Sequence, residues 1–146
     1  MESIKELYRI GYGPSSSHTM GPRKAAEQFL LRHPKADKYE VTLFGSLAAT
    51  GKGHLTGVAI EKVFEEKDLN LIWQPEEFLK RHPNALRFKA FSASDELIEE
   101  WTAYSIGGGA IIDDNSEVSA QKIYGLTTMD EILEWCKSNK KQLFRC

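Results

Sequence analysis

Sulfur is scarce in this chain. It has 146 residues and two cysteines, Cys136 and Cys146, both near the C-terminal end. They form no CxxC pair, and two thiols cannot by themselves build a four-cysteine metal site or a disulfide framework. Long apolar runs are missing too, since no stretch approaches the roughly 20 residues that a membrane-spanning helix needs. The N-terminus, Met1-Glu2-Ser3-Ile4-Lys5-Glu6, lacks the basic-then-apolar order of a secretory leader. An excess of either charge is also absent: 19 Lys and Arg stand against 21 Asp and Glu, for a net charge of -2. No bulk basic field therefore draws nucleic acid or an anionic membrane. The expectation is a cytoplasmic protein in a reducing compartment, with no nucleic-acid and no membrane partner.

What is present is an ordinary globular composition, 41% hydrophobic and 27% charged, long enough for one domain with a core. Ser3 and Glu6 form a capping-box pair, which predicts a first helix over 4–9. A second helix is predicted over 21–32, ending before Pro34. Tyr39 to Phe44 alternates and is rich in β-formers, so it reads as a strand. A short apolar segment then breaks into a Gly-rich turn, and helical spacing at Val58, Ala59, Ile60, Val63 and Phe64 predicts a helix over 55–66. Strands are expected at Leu69 to Trp73, Leu86 to Phe91, Leu97 to Ile106 and Ala110 to Ile112. Gln74-Pro75-Glu76-Glu77 reads as the start of a short helix. Thr128 and Glu131 make a second capping box before a last helix over 129–138. Strands and helices mix without a strict βαβ rhythm, so the fold class is α+β: a single domain with a mixed or antiparallel sheet and helices packed on it. Residues 1–125 are read as that domain. Residues 126–146 are read as a C-terminal helix and a Lys-rich linker toward a further domain.

Two segments resemble each other, Phe29-Leu30-Leu31-Arg32-His33-Pro34-Lys35-Ala36 and Phe78-Leu79-Lys80-Arg81-His82-Pro83-Asn84-Ala85. Both read as helix exits, where a basic residue suits the dipole. His33 and His82 accordingly read as surface or capping groups rather than ligands.

Three polar loops stand out. The first, Gly13-Pro14-Ser15-Ser16-Ser17-His18-Thr19-Met20-Gly21-Pro22, packs hydroxyls and an imidazole between turn residues just ahead of a helix. Free N–H groups and the helix dipole favour an anion there, a carboxylate or a phosphate. His18 adds a group that titrates near neutral pH. Serine and threonine before a helix also serve as plain N-caps, and Thr19 fits that role equally. The second loop, Thr50-Gly51-Lys52-Gly53-His54, lacks phosphate-loop spacing. Lys52 supplies positive charge, and a histidine at a helix start is expected to stay neutral and act as a base. A solvated lysine and a first-turn histidine would give the same residues. The third, Tyr104-Ser105-Ile106-Gly107-Gly108-Gly109, interrupts a strand with three glycines. A bulge, a close approach to a ligand, or a simple strand break would account for it. Jointly the loops suit proton abstraction next to a carboxylate, but no electrophile is evident.

GPSSSHTMGP, GSLAATGKGH, HPNALRF and YSIGGG, in that order, resemble the β chain or β domain of iron–sulfur-dependent L-serine dehydratases. That family's β part is in turn similar to a regulatory domain of some 3-phosphoglycerate dehydrogenases, which also implies α+β. The resemblance implies conversion of L-serine to pyruvate and ammonia. It implies a [4Fe–4S] cluster held by an α domain or subunit that is absent here, whose open iron acts as Lewis acid on the substrate hydroxyl. No metal ligand is expected within this chain. Carried over by motif, Ser15, Ser16, Ser17 and Thr19 would bind the serine carboxylate, with Lys52, Gly107 and Gly108 as further contacts. His54 is favoured as the base and His18 as an orienting or second acid–base group, and the reverse assignment stays open. Expected partners are L-serine, the α component and further copies of the chain. One departure stands out. An acidic residue would be expected two places after the leucine that follows His54, and Gly57 is there instead; Asp113 or Asp114 are candidates to replace it. A non-catalytic module that binds serine or a similar hydroxy acid is the alternative function.

Overall fold

The computed structural model describes residues 10, 11, 13–116 and 128–140. The helix expected over 4–9, the link before Thr128 and Cys146 lie outside the described residues.

Alternating apolar positions build a five-stranded sheet. Its strands are β1 (Lys38–Phe44), β2 (Asp68–Gln74), β3 (Ala85–Phe91), β4 (Leu97–Gly107) and β5 (Ala110–Asp113), in the spatial order β2-β1-β3-β4-β5. β1 pairs parallel with β2, and every other neighbouring pair is antiparallel. The fold is therefore α+β with a mixed open sheet, as the sequence implies.

Alternation decides which side chains face the core. Tyr39, Val41 and Leu43 of β1 pair across to Ala90, Phe88 and Leu86 of β3, and all six are buried. Helix α1 (Gly21–Arg32) lays Ala25, Ala26 and Phe29 against that face, with Phe29 sitting 5.2 Å from the Phe88 ring centroid. Helices α2 (Gly45–Thr50) and α3 (Thr56–Glu61) add Leu47, Ala48 and Ile60 to the same cluster. The opposite face is polar along its middle, where Lys89 lies 3.3 Å from Glu40 and 3.9 Å from Glu100. At one end a smaller cluster of Phe44, Ala85 and Tyr104 is covered by Leu79 and Ile112.

Two expectations fail. The segment after Gln74 is a turn and an extended loop, not a helix. Its carbonyls go elsewhere: Gly45 N–H donates to Glu77 O at 2.8 Å and Ser46 N–H to Pro83 O at 3.2 Å. The loop thus satisfies donors that the start of α2 would leave unpaired. It follows that the second copy of the short repeat does not mark a helix exit. His82 instead accepts the Asn84 N–H through Nδ1 at 3.1 Å, while His33 caps α1 and pairs with Glu99. The helix expected over 55–66 is also shorter, Thr56–Glu61 followed by turns. Helix α4 (Met129–Ser138) starts at Thr128 with both halves of its capping box made, as the sequence implies. It belongs to a compact unit distinct from the sheet-bearing one, and its Cys136 is buried.

Candidate functional site

The first loop does not run straight into α1. Ser16–Met20 form a π-helical turn that leads directly into Gly21. Ser15 caps it: its side chain accepts the His18 N–H at 3.1 Å, and its carbonyl takes the N–H groups of Thr19 and Met20. The cap is therefore Ser15, not Thr19. Ser16 and Ser17 stand at the first positions, where backbone N–H groups have no acceptor inside the helix. Ser16 is exposed and Ser17 half-buried. Two backbone donors and two hydroxyls thus gather where the dipole favours an anion.

His18 projects from the turn between two hydroxyls. Its Nδ1 is 2.9 Å from Ser17 Oγ and its Nε2 3.1 Å from Ser46 Oγ. In a neutral imidazole one nitrogen donates and the other accepts, and two hydroxyls satisfy either tautomer. Burial, then the neighbouring charge of His54, holds the His18 pKa below its ordinary 6.5, while a hydrogen bond donated by the ring to the Ser46 backbone works the other way. Ser46 is a site residue that sequence reading missed. It sits 28 residues from His18, in a segment that reads as apolar. The signal available was Gly45: it adopts φ +47 at the strand-to-helix bend, and a Cβ there would fall 2.7 Å from the Phe78 ring. That bend aims the hydroxyl.

The second loop meets the first. The His18 and His54 ring centroids are 5.0 Å apart, tilted by 48°. Thr19 Oγ1 donates to the His54 carbonyl at 2.7 Å. His54 is exposed, and its ring makes no hydrogen bond with a described residue. It lies in the turn two residues ahead of α3, after which Leu55 takes a left-handed φ of +58. Lys52 points another way, with Nζ 5.9 Å from the Trp73 ring centroid. Gly57 is buried beside that same tryptophan, and a Cβ at 57 would fall 3.0 Å from it. A carboxylate side chain has no room there while Trp73 keeps this position.

The acidic candidates are engaged elsewhere. Asp113 accepts from Trp101 Nε1 at 3.2 Å and from Ser116, and Asp114 accepts the Tyr104 hydroxyl at 2.8 Å. These contacts keep both carboxylates in the β5 turn. Tyr104 is pushed up to about 12 by burial and by its bond to Asp114.

The third loop is a hairpin. Gly107 pairs with Ala110 across β4 and β5, and Gly108 and Gly109 between them adopt φ +57 and +70. Two positive values in a two-residue turn are the I′ pattern, which relieves strain only with residues such as glycine. A register shift between Ser105 and Gly107 adds a bulge. The strand geometry thus accounts for all three glycines. The loop reaches α1 through Ser105, whose buried Oγ has no hydrogen-bond partner among the described residues and would lie 2.1 Å from a Cβ at Gly21.

Among the described residues, no three His, Cys, Asp or Glu side chains group to hold a metal, and Cys136 is the one cysteine among them. These residues do not fit a four-sulfur cluster. No helix among them is long and apolar enough to cross a membrane.

An open mixed sheet with hydroxyls and paired imidazoles gathered at a helix start defines a class: a small α+β domain built around a polar loop constellation. Comparison narrows the class. The serine dehydratase beta chain family model matches residues 3–62 and 60–116, and the chain belongs to that family. It is 34% identical to the L-serine dehydratase of Helicobacter pylori J99, over 97% of this chain and 41% of that protein. It is 31% identical to L-serine dehydratase TdcG of Escherichia coli K12, over 95% and 40%, and 33% identical to the L-serine dehydratase of Mycobacterium tuberculosis, over 78% and 33%. The chain spans about two fifths of the length of the first of these relatives. The first alignment runs over 186 positions against 146 residues, and the two segments of the family match overlap at 60–62.

Proposed function

We propose that this chain is the β component of an L-serine dehydratase, which turns L-serine into pyruvate and ammonia. The observation that carries the reading is the meeting of two loops at one helix start, with His18 and His54 5.0 Å apart. The substrate carboxylate would lie on the Ser16 and Ser17 N–H groups, with the serine hydroxyls beside it. The Thr19 hydroxyl already serves the His54 carbonyl, so its contribution would be to loop geometry.

His54 takes the α-proton in this scheme. Its ring is exposed, whereas both nitrogens of His18 are occupied by hydroxyls. A neutral His18 leaves no repelling charge beside the imidazolium that forms on His54. The α-proton passes to His54, the C–O bond breaks with the electron pair going to oxygen, and the imidazolium returns that proton to the leaving hydroxyl, so water departs and aminoacrylate remains. Aminoacrylate tautomerises and hydrolyses to pyruvate and ammonia. A [4Fe–4S] cluster, held by an α domain or subunit, would supply the Lewis acid for hydroxyl departure.

Combining this chain with a cluster-bearing α component under anaerobic conditions and assaying pyruvate tests the proposal. Activity in the assembly is expected, with a loss of about 100-fold or more in His54→Ala. Full activity in both His54→Ala and His18→Ala would remove the assignment. A second reading is a non-catalytic module that binds serine or a similar hydroxy acid, and it rests on the same helix start. Calorimetric titration of the chain with L-serine, D-serine and L-alanine separates the two. Stereoselective, hydroxyl-dependent binding that survives His54→Ala supports the module. No binding at millimolar ligand supports a site completed by the α component.

A further inference from the structure

The two histidines are tied into each other's loops by a crossed pair of threonine bonds. Thr19, beside His18, donates its hydroxyl to the His54 carbonyl at 2.7 Å. Thr56, two residues beyond His54, donates its hydroxyl to the His18 carbonyl at 2.5 Å. Both threonines are buried, at 3% and 0% exposure. Each is held from behind. The Thr56 N–H closes on the Gly51 carbonyl at 2.9 Å, and the Thr19 methyl fills the space beside Gly13, where a Cβ would fall 2.2 Å from it. No hydrogen bond joins the two imidazoles, so these backbone ties set their spacing.

We propose that Thr19 and Thr56 are positioning residues that hold His18 and His54 as one coupled pair with room for a single proton. Two cationic rings at that spacing repel, so the first proton disfavours the second. The neutral hydroxyls of Ser17 and Ser46 face His18 and neutralise nothing. Lys52 is the charged group nearest His54 in sequence, and Arg23, Lys62 and Glu65 line the cleft shared by Thr19 and Leu55. A one-proton pair matches a reaction that moves one proton from carbon. The inference takes its chemical purpose from the dehydratase reading, but its test needs neither substrate nor partner.

Imidazole NMR of the full chain across pH is that test, with His33 and His82 as internal references. In the unsubstituted protein the His18 step is expected below the ordinary imidazole range, and His54→Gln, which removes the neighbouring charge, is expected to raise it. Thr19→Val and Thr56→Val delete one hydroxyl each at similar size. Each is expected to loosen the pair, shifting the His18 step up toward the ordinary imidazole range, and Thr→Ser at either place is expected to restore coupling. Unchanged coupling in the folded Val variants would overturn the proposal. So would a His18 step that His54→Gln leaves unmoved, which decides the matter even if a Val variant fails to fold. Failure here leaves the pyruvate assay standing, and failure of that assay leaves the coupling result intact.

Discussion

His18 is where local chemistry departs most from what its sequence neighbourhood suggests. Reading the loops favours the histidine near a helix start, His54, as the one kept neutral. The structure puts a π-helical turn and two hydroxyls around His18, and burial there lowers its pKa. His82 is lowered too, by burial. This has a consequence for stability. The unfolded chain takes up these protons near 6.5, while the folded chain resists until lower pH. Between those limits the unfolded state binds more protons. Stability is therefore fully present above about 6.5 and falls as pH drops through that window. Thermal melts from about pH 7.5 to about 5 should show a falling midpoint, with a flatter profile in His18→Gln. An unchanged slope in that variant would mean the ring is not its source. His18 itself was legible as titratable; Ser46 was not, because a hydroxyl 28 residues away carries no local mark of its partner.

Among elements, those with local signals came through. α1 ends where Pro34 requires, and α4 begins at its capping box. β4 has an acidic start that suits a helix, yet pairing with β3 on one side and β5 on the other favours strand. Segments whose backbone partners are distant were misread. Residues after Gln74 have helix-start chemistry, but giving carbonyls to Gly45 and Ser46 outweighs it. The glycine triplet had three readings, and the β4–β5 pairing selects a turn with a bulge. At Gly109, φ is +70, a conformation that costs an ordinary residue roughly 1–2 kcal/mol. Gly109→Val should lower stability by at least that amount in urea unfolding. A neutral result would show that the hairpin relaxes to another turn.

For the molecule as a whole, stability rests on the helix-covered face of the sheet. Phe29 is fully buried against Phe88 and Trp101. Phe29→Ala should cost about 3–5 kcal/mol, because it leaves a cavity that a sheet and a helix cannot both collapse into. The open face is different. Glu40→Gln, which breaks the 3.3 Å pair with Lys89, should change stability by no more than about 1 kcal/mol, because water already screens that pair. Chemical unfolding of both variants checks the contrast; equal losses would mean the polar face is not solvated as the geometry implies. The same separation serves the site, since the loops gather at the start of α1 and not on the charged face.

The chain's own residue order settled the α+β class, most of the strands, the ends of α1 and α4, and the family, because alternation, proline, capping boxes and contiguous motifs are local quantities. It also located two of the loops that meet. Folding settled what depends on residues far apart: that His18 and His54 stand side by side, that Ser46 completes one of them, and that two threonines cross between their loops. Hydrogen bonds and ring contacts act over a few ångströms, and chain positions 28 to 38 residues apart come within that range only when the sheet and its helices are packed.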